Sequence, residues 1–397
     1  MFLPGEISVR KYGGSSMYSA ERIKQVAKKL ASQVRQGDKM LLVVSAMGKT
    51  TDELLKLIAS VSCDPERRET DQALATGEMI SASLMAMSLR EAGLKASSFN
   101  AFNLGLRGDF LEGEYSICGM TSKNRLNDFF KKSDIAVVAG FQALNEDNDL
   151  VTLGRGGSDL TAVFMAKELG QKLCEKYTDE DGIYTADPSM IAEAEKRWHL
   201  DYEEMAVLAD YGNKILHPRS IEMAKQNSIR IHVRSSFSDL EGSVIGPEGD
   251  PEIKIKSLAV TEQIFYAFVK GKEVKRSFQT EKLPFKPLFL GKLEEGLAIG
   301  YSSKDSFEAV LSVLELAEES KALSVDNTTN LTTLTLSGNG LESFPYLADK
   351  CLQQVLSSGI EPKAFEHAGK RLSFAVTKES ASKLAALLNQ IAISNSG

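Results

Sequence analysis

Five short runs concentrate the residue types that handle phosphate and carboxylate groups. The first is Lys11-Tyr12-Gly13-Gly14-Ser15-Ser16. Paired glycines let backbone N–H groups approach phosphate oxygens, and a lysine beside them places a point charge on a phosphate chain. A glycine turn after a strand can equally be structural, and the run matches neither GxxxxGK[ST] nor GxGxxG. The second run is Ser45-Ala46-Met47-Gly48-Lys49-Thr50-Thr51-Asp52. Its small and hydroxyl residues could hold a substrate or simply open a helix over 52–60. The third, Leu153-Gly154-Arg155-Gly156-Gly157-Ser158-Asp159-Leu160, is the most informative. Three glycines expose backbone donors, Arg155 offers a planar fork to a carboxylate, and Ser158 or Asp159 can cap the helix that follows. A structural turn seldom gathers Arg, Ser, Asp and three Gly. The fourth, Tyr177 to Pro188, is an acidic, turn-rich loop. The fifth, Tyr211-Gly212-Asn213-Lys214-Ile215-Leu216-His217-Pro218, also reads as a helix C-cap at Gly212 with an ordinary buried histidine.

These runs need a frame that brings distant loops together. EISVRKY, KMLLVVSAM and DIAVVAGF read as strands, the last two as near-continuous apolar runs of the kind buried on both sides of a parallel sheet. Residues 20–34 place Ile23, Val26, Ala27 and Leu30 on one helical face, and 71–92 reads as a long helix. Strands and helices alternate over the first ~245 residues, which predicts an α/β fold: an open, mostly parallel sheet sandwiched by helices. Ligands of such sheets gather at the C-terminal ends of the strands, where the first two runs fall.

Beyond the turn-rich GPEGDPE the pattern changes. IFYAFVK, GLAIGYSS, LTTLTLSG and RLSFAVT alternate like half-buried strands. FEAVLSVLELA, FPYLADKCLQQVLSSG and SASKLAALLNQIA read as helices. A strand-then-helix pattern over 291–317 recurs over 370–391, which suggests a tandem repeat in a smaller α+β region. The expected division is residues 1–248, then 253–397 as two units of about 253–320 and 321–397.

Composition narrows the function class. The 397 residues are 43% hydrophobic and 25% charged, ordinary values for a globular protein. A net charge of -7 argues against a nucleic-acid partner. No apolar run approaches the ~20 residues of a membrane span, and no secretory pattern opens the chain. Cys63, Cys118, Cys174 and Cys351 are far apart and read as reduced thiols in a cytoplasmic protein. The scattered histidines argue against a resident metal site, so any metal should arrive with a substrate.

Taken in order, the five runs resemble the aspartokinase branch of the amino acid kinase family, whose patterns are K-F-G-G-T-S, S-A-M-G-x-T-T-D, G-R-G-G-S-D, T-D-V-D-G-I-Y-T-x-D-P-R and G-A-K-V-L-H-P. The resemblance covers roughly residues 5–245. Its RGGSD and TDxDGIYTxDP pair is set apart from glutamate and acetylglutamate kinases. A non-catalytic sensor is a further alternative, but such a decayed site should lose its charged residues first, and Lys11, Asp159 and Lys214 remain. The resemblance implies ATP-dependent phosphorylation of the L-aspartate side chain to 4-phospho-L-aspartate, the first step toward lysine, threonine and methionine, with Mg²⁺ accompanying ATP. Lys11 would contact the transferring phosphate and Asp159 would organise the catalytic lysines. Lys11, Gly13, Gly14, Ser15, Thr178, Asp179, Tyr184, Lys214 and Ile215 fall where the family binds ATP. Thr51, Glu78, Phe141, Arg155 and Ser158 fall at its amino-acid site. Arg155 suits the α-carboxylate and Glu78 the α-ammonium. The β-carboxylate is then left to attack.

Some residues depart from the pattern. Tyr12 and Ser15 replace Phe and Thr, both mild changes. Glu180 stands where Val is usual and Ser189 where an Arg lies near the nucleotide; losing one charge-assisted contact would weaken ATP binding by about 1–2 kcal/mol. The C-terminal region resembles paired ACT regulatory domains less closely. Residues 271–290 contain Pro284 and Pro287, show little helical periodicity and lack an S-E-x-S run, so weak or absent inhibition by lysine is expected. The resemblance also implies a homodimer through the C-terminal region, where LTTLTLSG is an apolar strand that needs cover.

Overall fold

The structure is a computed structural model that describes residues 7–35, 37–111, 113–249, 255, 257–270, 283, 287–293, 296–318, 324–344 and 346–394. The chain forms two compact units. One comprises 1–183, 198–202 and 215–249; the other takes 184–197, 203–214 and 250–397.

In the first unit, β1 (Ile7–Tyr12), α1 (Ala20–Gln33), β2 (Lys39–Val44), α2 (Thr50–Val61), α3 (Arg67–Glu91) and β3 (Ala96–Phe99) begin the expected alternation. α4 (Ala101–Leu104), β4 (Leu106–Leu111), β5 (Glu114–Met120), α5 (Lys123–Phe130), β6 (Ile135–Ala139), β7 (Gln142–Leu144) and β8 (Leu150–Thr152) follow. Then come α6 (Gly157–Glu168), β9 (Leu173–Thr178), β12 (His199–Asp201), β13 (Arg230–Ser235) and β14 (Ser243–Gly246), while β10 (Ile183–Tyr184) enters and β11 (Lys196–Arg197) closes the stretch 184–197 of the second unit.

Among the described residues the main sheet runs β12-β14-β13-β9-β1-β2-β6-β3. From β13 through β3 its neighbours are parallel, and the antiparallel β13–β14 pair makes the sheet mixed near one edge. Leu41 to Val44 and Ile135 to Ala139 are wholly buried, as continuous apolar strands between two helical layers must be. α1 begins at Ser19, whose hydroxyl accepts from the Arg22 N–H at 3.3 Å, and buries the anticipated Ile23, Val26, Ala27 and Leu30. These pack with Met85, Ala86 and Leu89 of α3 and Leu42, Val44, Val137 and Ala139 of the sheet. At roughly 25 cal/mol per Å² of apolar surface, this layer is a principal source of the unit's stability. A second sheet, β5-β4-β7-β8, stands beside the first.

The second unit closes a barrel of β15 (Ser257–Lys270), β17 (Gly296–Tyr301), β16 (Phe289–Leu293), β19 (Ala364–Ala368), β20 (Arg371–Thr377) and β18 (Ser324–Ser337), in that spatial order. β18 pairs antiparallel with both β15 and β20, so the LTTLTLSG strand is covered on both edges within the chain. Its residues 331–337 are all buried. Leu334 and Leu336 join Leu372, Phe374 and Val376 under helices Tyr346–Ser357 and Lys378–Ser394, packing with Leu347, Val355, Leu384 and Leu388. The intervening Thr333 and Thr335 bond the hydroxyls of Tyr266 and Ser373 instead. Period-two alternation is thus present, but both faces are dry. The strand-then-helix echo appears as β17 with helix Lys304–Glu318 and as β20 with helix Lys378–Ser394. Residues 271–282 and Pro284, on which the expectation about lysine mostly rests, lie outside the described residues.

Candidate active site

The first unit holds a cavity of about 270 Å³, lined by residues of the first three runs together with Glu78 and Phe141. β1 delivers Lys11 and the turn after it Gly14; the loop after β2 delivers Ser45, Ala46 and Gly48, and the first turn of α2 delivers Thr51. α3 contributes Glu78 through one buried turn, Phe141 follows β6, and residues 154–159 enter as the loop before α6 and its first turn.

Glycines let the loops meet. A Cβ on Gly14 would lie 3.2 Å from the Ala46 carbonyl oxygen, a tight approach that marks how closely the β1 and β2 loops meet there. Gly156 takes φ +74°, and its Cβ would fall 2.2 Å from the Cβ of His217. It permits the turn that starts α6 with Asp159 in its first turn, where an acid complements the helix dipole. Phe141 also has a positive φ, 67°, rare for a bulky residue. The Thr161 hydroxyl accepts its N–H at 3.2 Å, and the Leu153 N–H donates to its carbonyl at 2.9 Å, which holds the strained residue at the cavity wall.

The electrostatic centre is Asp159. Its Oδ1 lies 2.8 Å from Lys11 Nζ and its Oδ2 2.6 Å from Lys176 Nζ. All three are at most 8% exposed. Burial alone would raise the Asp159 carboxyl, yet Lys11 and Lys176 outweigh it and hold the group ionised, well below its ordinary value. For Lys176, burial and the neighbouring Lys11 outweigh Asp159 and bring the ammonium down to about 8. With all three ionised the cluster carries one surplus positive charge, suited to an anionic phosphate chain.

Glu78 is set apart from this pairing. The Ala46 N–H donates to its Oε1 at 3.0 Å, and burial pushes its carboxyl up to about 7 despite that bond and the Lys11 charge. Arg155 stands exposed at the rim and Ser158 is buried in the wall. A cationic rim, an acid able to ionise near neutrality and a cationic floor can hold a small zwitterion with a second carboxylate turned inward.

Ser15, Thr178 and Asp179 form a separate cluster at the ends of β1 and β9. Asp179 Oδ1 accepts from the hydroxyls of Ser15 at 3.0 Å and Thr178 at 2.9 Å. Burial would raise this carboxyl, but these bonds and backbone N–H groups bring it below its ordinary value. The Gly13 N–H donates to the Tyr177 carbonyl at 3.1 Å, so it binds the neighbouring strand. Ile215 offers its carbonyl to Lys176 Nζ. Tyr184 and Lys214 are counted with the second unit, and their expected roles rest on the motifs. Lys176 is the functional candidate that residue patterns did not reveal. The sequence signal is a lysine within LCEKYT, which forms β9 between β1 and β13 of the main sheet.

The amino acid kinase family model matches residues 6–235. The aspartokinase of Geobacillus stearothermophilus is 33% identical over 368 residues, 90% of each chain. That of Corynebacterium efficiens is 45% identical over 238 residues, 60% of this chain and 56% of its own. The crystal structure of E. coli aspartokinase III in complex with aspartate and ADP (R-state) has a TM-score of 0.78 at 19% identity, covering 97% of this chain and 99% of that one; the likeness is one of fold. The chain belongs to the amino acid kinase family, on its aspartokinase branch.

Proposed function

We propose that this chain transfers the γ-phosphoryl group of ATP, with Mg²⁺ riding on the nucleotide phosphates, to the β-carboxylate of L-aspartate. The product is 4-phospho-L-aspartate, an acyl phosphate, and the reaction opens the aspartate pathway. The observation that carries this reading is the convergence of Lys11, Asp159, Glu78, Thr51, Arg155 and Ser158 on one cavity.

Arg155 receives the α-carboxylate and ionised Glu78 the α-ammonium, with Thr51 and Ser158 as neutral partners. The β-carboxylate, with an ordinary pKa near 4, is already a nucleophile at neutral pH, so no base is required. It attacks the γ-phosphorus in line, the new O–P bond forming as the bond to the β-phosphate oxygen breaks, and ADP leaves with the electron pair. Lys11 neutralises the transferring group and backbone donors orient it, which is most of what phosphoryl transfer asks of a protein. Ser15, Thr178, Asp179 and Ile215 are assigned to the nucleotide, as are Tyr184 and Lys214 from the motifs. The enzyme is proposed to act in the cytoplasm as a homodimer through the C-terminal region, on exposed side chains rather than on residues 331–337 of β18, which are paired on both edges.

Coupled ADP release, measured with L-aspartate, with L-glutamate and with no amino acid, tests the reading. Turnover is expected with aspartate alone. Equal rates with glutamate would move the chain to another substrate, and no stimulation by either would end the kinase reading.

A further inference from the structure

Lys176 has no part in the mechanism above, yet it is one of the few charged side chains buried in the main sheet. It sits on β9 directly opposite Lys11 of β1 in the parallel register, so the two side chains leave the same face of adjacent strands. Two ammonium groups placed so close repel each other unless an anion lies between them. Asp159 is that anion, one oxygen to each lysine. Lys176 Nζ also donates to the Ile215 carbonyl. Lys11 and Asp159 line the cavity, whereas Lys176 does not.

We infer that Lys176 is a positioning residue for phosphoryl transfer: by holding Asp159 Oδ2 and the Ile215 carbonyl, it confines Asp159 to a single-oxygen contact with Lys11 and keeps the remaining Lys11 donors turned to the transferring phosphate. Without Lys176, Oδ2 is left buried and unpaired. The carboxylate then draws Lys11 into a contact with both oxygens, which withdraws Nζ from the cavity, and the surplus positive charge of the cluster is lost. Because Lys176 touches no substrate, its removal affects the transition state far more than ground-state binding. Its burial also places its charge outside any role in solubility or surface pairing.

The inference rests on the proposed phosphorylation of aspartate, and wild-type turnover in the coupled assay tests that reading first. A wild type inert toward aspartate defeats the reading; an active wild type lets the variants judge Lys176 alone. Lys176→Met keeps the side-chain length without the charge. Its kcat is expected to fall about 10- to 100-fold, with KM for aspartate and for ATP within about threefold of wild type. Asp159→Asn with Lys176→Met together is expected to be no more than about twofold slower than Asp159→Asn alone, since Lys176 acts through that carboxylate. Thermal unfolding accompanies each variant. If Lys176→Met is unfolded at the assay temperature, Lys176→Gln, which retains a donor for Ile215, takes its place with the same expectations. A kcat within twofold of wild type overturns the inference. So does a KM increase at constant kcat, which would mean direct substrate contact, or a full additive loss on top of Asp159→Asn.

Discussion

Lys11 is the only lysine that both lines the cavity and touches Asp159 among the described residues, so its charge should weigh most on the chemical step. Lys11→Ala and Asp159→Ala are each expected to lower kcat by about 10²–10³-fold, the usual effect of removing one preorganised charge-stabilising group. Arg155→Ala should behave differently, raising the aspartate KM by about 10- to 100-fold while leaving the ATP KM near its wild-type value. Steady-state kinetics in both substrates separates the two patterns; a shared rise in both KM values would show that Arg155 does not face the amino acid. Glu78 gives a pH test. Its carboxyl titrates at about 7, so below that value it is neutral and cannot hold an ammonium group. The kcat/KM for aspartate should therefore fall as pH drops through 7. Stability has the opposite dependence. The unfolded chain ionises this group from its ordinary 4.5 upward, while the folded chain waits until about 7, so burial of Glu78 erodes stability as pH rises across that window. Glu78→Gln should raise Tm at pH 7 to 8 while raising the aspartate KM. A variant with unchanged Tm and KM would remove Glu78 from both accounts. Most of these residues were visible in the sequence because glycines and charges crowd into short loops. Lys176 was not, since its partner lies 17 positions away and only the parallel register places it opposite Lys11.

At the scale of elements, the glycine loop before α6 is the most constrained part of the site. Gly156 has a left-handed backbone and no space for a methyl group against His217. Arg219 braces the same loop, donating to the Leu153 carbonyl at 2.7 Å, and also meets Glu114 and the Tyr115 carbonyl. Gly156→Ala combines backbone strain with a steric clash, and a loss of at least about 2 kcal/mol is expected. Denaturant unfolding measures it; a loss under 0.5 kcal/mol would show the loop to be pliable. The buried parallel strands and the amphipathic α1 were legible because periodicity reports burial directly. α3 starts at Arg67, four residues before the apolar pattern suggests: Arg67 pairs with buried Asp71 at 3.6 Å and Glu69 lies in the first turn, so polar contacts carry the helix beyond its hydrophobic face. β7 and β8, three residues each, are too short to show a period; β7 takes its place by pairing with β4, and β8 by pairing with β7.

At the scale of the whole molecule, chain order and compact units are not the same thing. The change of pattern near residue 250 is plain in the sequence, yet residues 184–197 and 203–214 cluster with the C-terminal stretch. The reason is a few contacts that no local pattern reports. Ala186 and Ile191 are buried in the core with Leu334, Phe374 and Leu388. The Thr185 hydroxyl meets buried Asn389 at 3.1 Å, and the Leu258 N–H donates to the Thr185 carbonyl. The Thr261 hydroxyl donates to the Tyr211 carbonyl, and Tyr211 donates to that of Leu288. A fragment ending at residue 248 keeps 184–197 and 203–214 but removes what covers them. Apolar side chains would then face water, and Tyr211, almost wholly buried in the full chain, would lose its enclosure. Such a fragment is expected to unfold at a Tm at least about 5 °C below the full chain or to aggregate, and to lose most aspartate-dependent turnover. Calorimetry and light scattering on residues 1–248 beside the full chain supply the measurement. A soluble fragment that unfolds cooperatively at the full-chain Tm would mean that the contacts of these two segments with the C-terminal stretch contribute nothing to stability.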